Sequence, residues 1–208
     1  MKHVSLDIHD FSVLNNKLDL LLEIKDRYPT FKVSMFTIPF DYTFEKSVQR
    51  IYRDMELKRI KENLDWIQII PHGVTHMPRE FENCDRHSMK MIIDNMHEIF
   101  DKDGIPFEKG FCAPFWLWNQ EVVTVLNEYG WWGAIDRNQK DMICPKKFYK
   151  YNYSIDEEFW NSPDDVLKLH GHMDLPSANN LNDCLVNILK LPSDVEWHYV
   201  TDFLEERS

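Results

Sequence analysis

The chain has 208 residues, 43% of them apolar, and a formal net charge of −11 spread along its length. That size fits a single domain, 1–208, with one core. The acidic balance argues against a nucleic-acid partner and against docking on an anionic membrane, since both present negative charge.

No stretch approaches the roughly 20 apolar residues that span a bilayer. The start, Met1-Lys2-His3-Val4-Ser5-Leu6-Asp7, lacks the apolar run of a secretory signal, so a cytoplasmic setting is expected. Cys84, Cys112, Cys144 and Cys184 are scattered without a Cys-x-x-Cys pair. They read as free thiols in a reducing compartment, and their spacing excludes a zinc ribbon.

In chain order, residues 4–8 alternate: Val4, Leu6 and Ile8 face one way, Ser5 and Asp7 the other, as in a strand. Residues 15–28 place Leu18, Leu21, Leu22 and Ile24 at helical spacing, closed by Pro29. Residues 32–38 form a second strand. Residues 44–64 read as a charged helix or helix pair with Val48, Ile51, Tyr52, Met55 and Ile60 inward. Residues 66–70 are a third strand, ending at Pro71. Asp85 caps a helix whose inward side is Met89, Ile92, Ile93, Met96, Ile99 and Phe100, with Gly104 as its stop. A short strand at 110–113 precedes a helix capped by Asn119, carrying Val122, Val123, Leu126 and Tyr129 and closed by Gly130. Strands at 131–135 and 165–169 follow, then a helix at 181–189 and a strand or strand–helix junction at 196–200. Residues 138–163 read as a loop-rich excursion. Strands separated by helices mean parallel βα units. Six or seven of them in so short a chain predict an α/β fold, a small or incomplete (β/α) barrel.

The unusual polar residues gather at the carboxyl ends of these strands, the rim on which βα barrels build active sites. His9 and Asp10 follow the first strand, and His72 and His76 follow the third. Cys112 to Trp118 follow the fourth, Asp136 ends the fifth, and His170 and His172 end the strand at 165–169. His72 and His76 meet on one side if their segment makes a helical turn, each offering a neutral nitrogen to a metal. Gly73 lets the chain turn sharply after Pro71. Asp10 completes a His-His-Asp set that leaves a coordination position open for water. His170, delivered by a strand, suits a general acid. Trp116 and Trp118 lie near the same rim, where aromatic faces can wall a bound substrate. His3, His87, His97 and His198 have no comparable company.

With these residues in place, the sequence resembles the polysaccharide deacetylase family, the NodB homology domain of carbohydrate esterases. The family's first motif, Thr-Phe-Asp-Asp-Gly, falls on Asp7-Ile8-His9-Asp10-Phe11. The second, His-Ser/Thr-x-x-His, falls on His72-Gly73-Val74-Thr75-His76. The third, Arg-x-Pro-aromatic-Gly/Trp, falls on Cys112-Ala113-Pro114-Phe115-Trp116. A fourth, Asp and Trp region, falls on 131–136, and the fifth, Leu-x-Leu-His, on Leu167-Lys168-Leu169-His170. The resemblance implies a distorted (β/α) barrel. It also implies hydrolysis of an acetyl group from an N-acetylated or O-acetylated sugar by a water activated on one divalent ion. Zinc suits the ligands best, and nickel, cobalt or iron also fit. In that scheme Asp10, His72 and His76 are the metal ligands, and the metal with the backbone N–H of Phe115 holds the oxyanion. His170 protonates the leaving group, and Asp136 orients His170; Asp141 competes for that role.

Two positions depart from the pattern. His9 stands where the family has its base Asp, and Cys112 where it has the Arg that pairs with that Asp. Read as one coupled change, they leave His9 as the base, oriented by Asp7 from the same strand face, with a neutral Cys112 beside it. The same departures leave open a catalytically impaired, metal-containing carbohydrate-binding module, and the wider superfamily leaves open hydrolysis of another, cyclic amide.

Overall fold

A computed structural model describes residues 1–39, 47–74, 76–77, 79–138, 143–173 and 177–207, with backbone alone at 47–50. Thr75 and Asp141 therefore lie outside the described residues. The strands are β1 (His3–Phe11), β2 (Val33–Thr37), β3 (Ile67–Pro71), β4 (Gly110–Phe111), β5 (Trp132–Ile135), β6 (Lys147–Lys150), β7 (Tyr153–Ser154), β8 (Val166–His172), β9 (Glu196–His198) and β10 (Glu205–Glu206). The helices are α1 (Leu18–Arg27), α2 (Ser47–Lys61), α3 (Arg86–Asp103), α4 (Gln120–Tyr129) and α5 (Leu181–Ile188). The expected caps are present. The side chains of Asp85 and Asn119 accept from the backbone N–H of Ser88 and Val122. Gly104 and Gly130 end α3 and α4 in the left-handed conformation that glycine adopts without a Cβ clash.

One sheet runs β3-β2-β1-β8-β7, and a second runs β10-β6-β5-β4. All pairings are parallel except β10 with β6. The sheets meet at two seams. At the first, Glu108 N–H donates to Ile69 and Cys112 N–H to Pro71, joining β3 to β4. At the second the chain passes from β6 to β7 through Tyr151 and Asn152, and Asn152 bonds β8 with both backbone and side chain. The result is a distorted barrel whose ladder is not continuous, as the βα pattern predicts. β9 pairs with β1 at His3–Ser5, below the stretch that pairs with β2.

Strand alternation sorts the side chains into two cores. Val4, Leu6, Ile8, Val33, Met35, Ile67, Ile69, Leu167 and Leu169 point outward and pack under α1, α3, α4 and α5. Burying one such aliphatic side chain contributes about 1.5–3 kcal/mol. Phe36, Ile70, Cys112, Trp132, Ala134, Tyr149, Tyr151 and Val200 form the second core, inside the barrel. The polar inward residues sit among them: Ser5, Asp7, His9, Ser34, His72 and His170 are all buried.

Two expectations are corrected. In α2 the apolar face expected inward is exposed: Ile51 66%, Tyr52 49% and Met55 60%. Ile60 is buried as expected, and Leu57 and Glu56 are buried beside it, because Glu56 accepts from Asn16 Nδ2 and pairs with Arg59. The 138–163 excursion contains β6 and β7, strands too short to show a period of their own, formed by pairing with β5 and β8.

Candidate metal centre

The rim at the carboxyl ends of the strands brings Asp10, His72 and His76 together. Asp10 Oδ1 lies 3.4 Å from His72 Nε2 and 2.9 Å from His76 Nε2. The contact is not the helical turn expected from the His-x-x-x-His spacing: the described residues between them form none. Gly73 at φ 69° and His76 at φ 57° fold a loop that carries the second imidazole back over the first. A side chain at position 73 would meet Pro114 Cγ at 2.8 Å. Glu80 Oε1 accepts the N–H of Val74 and ties the loop down.

Protonation at this point is settled by one neighbour. His72 Nδ1 lies 2.9 Å from the carbonyl oxygen of Cys112, which accepts and cannot donate, so the ring proton is on Nδ1. In the neutral ring Nε2 then presents a lone pair toward the Asp10 carboxylate. Two lone pairs facing each other at 3.4 Å repel unless a cation or a proton lies between them. Asp10 Oδ1 is shut from solvent and accepts no hydrogen bond of good geometry. Burial acts to raise the Asp10 carboxyl, but His72 and His76 outweigh it and hold it well below the usual carboxylate range. A carboxylate and two imidazole nitrogens, one oriented from behind by a backbone carbonyl, fit a divalent cation.

Below the triad lies a second group, Asp7, His9 and His170. The expected orientation of His9 by Asp7 is not what forms. Asp7 Oδ1 is 2.6 Å from His170 Nδ1 and 4.0 Å from His9 Nε2. The parallel register sets this: Asp7 is the direct partner of His170 across β1 and β8, while His9 stands opposite His172. Burial raises the Asp7 carboxyl, and His170 and Tyr149 pull it back. His9 is 2% exposed. Its ring lies against Phe36, His72, Trp116, His170 and His172 at centroid distances of 4.4–5.6 Å. Burial lowers it well below ordinary histidine, and the nearby imidazoles add to the shift, so it is neutral. Its Nε2 has no hydrogen-bond partner.

The expected link from Asp136 to His170 is indirect. Asp136 Oδ2 accepts from Tyr151 Oη at 2.8 Å, and the Tyr151 ring stacks on His170 at 4.4 Å. Tyr149, Tyr151 and His172 are residues that sequence reasoning gave no role. The two tyrosines are spaced two apart, which is the signal that both face inward from one strand edge. His172 Nδ1 is held by Asn179 Oδ1 at 2.8 Å, and burial lowers its pKa to about 4.

The turn Pro114–Trp116 closes the rim from above. Phe115 is 53% exposed and packs on His76, while Trp116 covers His9 and His170. Trp118 does not join them. It stacks on Phe111 in the outer core, and its Nε1–H donates to Ile143. Among the described residues, six non-glycine residues have left-handed backbone, and Asp10, His76, Phe115 and Trp116 are four of them. Each such conformation costs of order 1 kcal/mol, and such residues concentrate where a site over-determines the chain. Cys112 lies fully buried beneath, and its thiol is pushed well above the ordinary value by burial and by Asp7, Asp10 and Asp136.

No protein-family model matches the sequence, and no curated protein matches it. The class defined by these strands is nevertheless plain: the chain has the NodB-type fold of the family 4 carbohydrate esterases, with a His- and Cys-substituted cluster on its rim that could hold a metal ion. Among particular structures, it is similar to the chitin deacetylase of the fungal pathogen Colletotrichum lindemuthianum, with a TM-score of 0.64 and 13% identity over 99% of this chain and 88% of that one. The family 4 carbohydrate esterase of Streptomyces lividans gives 0.59 and 15% over 91% and 86%. A family 4 pseudoenzyme from Bacillus anthracis gives 0.58 and 14% over 97% and 64%.

Proposed function

We propose that the protein is a divalent-metal-dependent hydrolase that removes an acetyl group from an N-acetylated or O-acetylated sugar. The observation that carries this is the convergence of Asp10, His72 and His76 beside the buried Asp7–His170 pair. A divalent ion on that triad, zinc by ligand preference, supplies polarisation of the acyl carbonyl and activation of the attacking water. His170 has Nδ1 engaged by Asp7, which leaves Nε2 as the nitrogen that hands a proton to the departing amine or alcohol. Asp7 steadies the imidazolium form. His9, neutral and with an unpartnered Nε2, is the acceptor for a proton from the attacking water. The backbone N–H of Phe115 serves as the oxyanion donor, and Trp116, lying over His9 and His170, walls the acetyl pocket. Acetate release from N-acetylglucosamine oligomers and acetylated xylan tests the reading, with zinc-loaded wild type beside zinc-treated His76→Ala. Acetate from the wild type alone supports it. No acetate from fully loaded wild type on any substrate rejects it.

One observation favours a second reading. His9 is enclosed on several sides by rings, and the similar Bacillus anthracis protein is a pseudoenzyme. A metal-containing sugar-binding module with this architecture would bind the same oligomers in calorimetry and release no acetate.

A further inference from the structure

At the opposite end of the barrel lies a second cluster, made by residues distant in the chain. His3 opens β1 and is the direct partner of Glu196 in β9, with His198 two residues further on the same face. His3 Nδ1 is 3.0 Å from His198 Nε2 and 3.2 Å from Glu196 Oε2, and Glu196 Oε1 is 3.7 Å from His198 Nε2. Four ligands at zinc distances sit about 3.3 Å apart at the corners of a tetrahedron, and these separations bracket that edge.

The proton inventory points the same way. His198 Nδ1 faces Asp202 Oδ2 at 3.5 Å, a carboxylate held in place by the N–H of Tyr199. A carboxylate accepts, so the neutral His198 ring has its hydrogen on Nδ1 and a bare Nε2. Among the described residues, the hydrogen on His3 Nδ1 then lies between two acceptors, Nε2 of His198 and Oε2 of Glu196, and Glu196 Oε1 turns a further lone pair toward the same point. A carboxylate orienting a ligating imidazole from behind is the usual support of a metal site. The Phe203 ring packs against His198 and limits its rotation.

We infer that His3, Glu196 and His198 form a second divalent-metal site of the zinc type, oriented by Asp202. It stands about 23 Å from the Asp10 triad along β1, by the rise of seven strand residues. Its ion clips the first strand to the last parallel strand of the fold. His3 and Glu196 are each about half exposed, so solvent supplies the fourth ligand and the ion exchanges readily with added metal.

Metal content after equilibration with zinc and gel filtration is the test. Wild type should retain two zinc ions per chain, His76→Ala one and His76→Ala/His198→Ala none. Glu196→Gln in the His76→Ala background removes only an exposed charge and keeps the fold. It should weaken cobalt(II) binding, followed by its visible absorption, at least tenfold. Zinc content that falls to zero in His76→Ala alone, or cobalt binding unaffected by Glu196→Gln, overturns the second site. A His198 variant that does not fold leaves the Glu196→Gln titration to decide.

Discussion

Removing the metal from the Asp10 triad should destabilise the whole fold, because the triad ties β1 to the loop after β3. The perturbation is zinc against chelator in wild type and in His76→Ala. His76 is a quarter exposed, so its truncation removes a ligand without opening a cavity in the core. Zinc at a hundred times its dissociation constant stabilises the protein that binds it by about 2.7 kcal/mol. In a chain of this size each kcal/mol moves Tm by about 2–4 °C, so the triad should contribute about 5–11 °C. The difference between the zinc-induced shifts of wild type and His76→Ala, read by circular dichroism, isolates this site from any other bound ion. Without the ion, the His72 lone pair and the Asp10 carboxylate are separated by a proton or left in repulsion, so zinc replaces one of these as it adds bonds. Equal shifts in the two proteins would refute the assignment of these ligands.

Asp7→Asn keeps the shape of the buried Asp7–His170 contact but replaces a charge-assisted hydrogen bond with a neutral one. That difference is about 1–1.5 kcal/mol, so acetyl hydrolysis should slow about tenfold at unchanged zinc content, and unchanged kcat would remove Asp7 from the mechanism. Burial raises the thiols of Cys84 and Cys184 to about 11 and Cys112 higher still, so in the native protein only the half-buried Cys144 should alkylate within minutes at pH 7.5. Peptide mass mapping checks this, and early labelling of Cys112 would contradict its enclosure. Burial lowers His172 to about 4, so between about pH 6.5 and 4 the unfolded chain binds more protons than the folded one. Its contribution to stability is therefore complete above pH 6.5 and lost as the pH falls toward 4. His172→Asn, measured in chelator, should flatten that part of the Tm–pH profile.

The pattern of β1 explains why so much of the site is legible in the sequence. Alternation alone sends Asp7 and His9 into the barrel, and the strand end leaves Asp10 on the rim. The His72–His76 pair, Asp10 and His170 each sit at a strand end for the same reason. What alternation does not determine is which inward residues become partners. Asp7 bonds His170 and not His9 because parallel pairing sets it opposite position 170. Trp118 leaves the rim because the left-handed residues Phe115 and Trp116 turn the chain back before it. His3 and His198 lie 195 positions apart, and only the β1–β9 ladder unites them. β6 and β7 are four- and two-residue segments with no period to read, yet β6 and the link that follows it carry Tyr149 and Tyr151 into the barrel interior.

The paired departure at positions 9 and 112 makes sense as a conservation of buried charge. In the pattern this sequence resembles, an acid at one position faces a guanidinium at the other. Here two neutral groups face each other: a histidine depressed by burial and a thiol raised by it. Both arrangements have the same net charge in a space closed to solvent. Restoring only the acid should therefore fail. In metal-free His9→Asp, held in chelator, the new carboxylate would lie near Asp7 and Asp10 with no cation at 112, and an uncompensated buried charge costs about 3–5 kcal/mol. His9→Asn has nearly the same shape without that charge, so His9→Asp should melt well below it at pH 7. The penalty belongs to the ionised form, so the gap should close as the pH falls and the new carboxyl protonates. A gap that persists at pH 4 would locate the cost in packing. Equal melting temperatures at pH 7 would mean that the chain already holds a cation for position 9, and the two departures would then be independent.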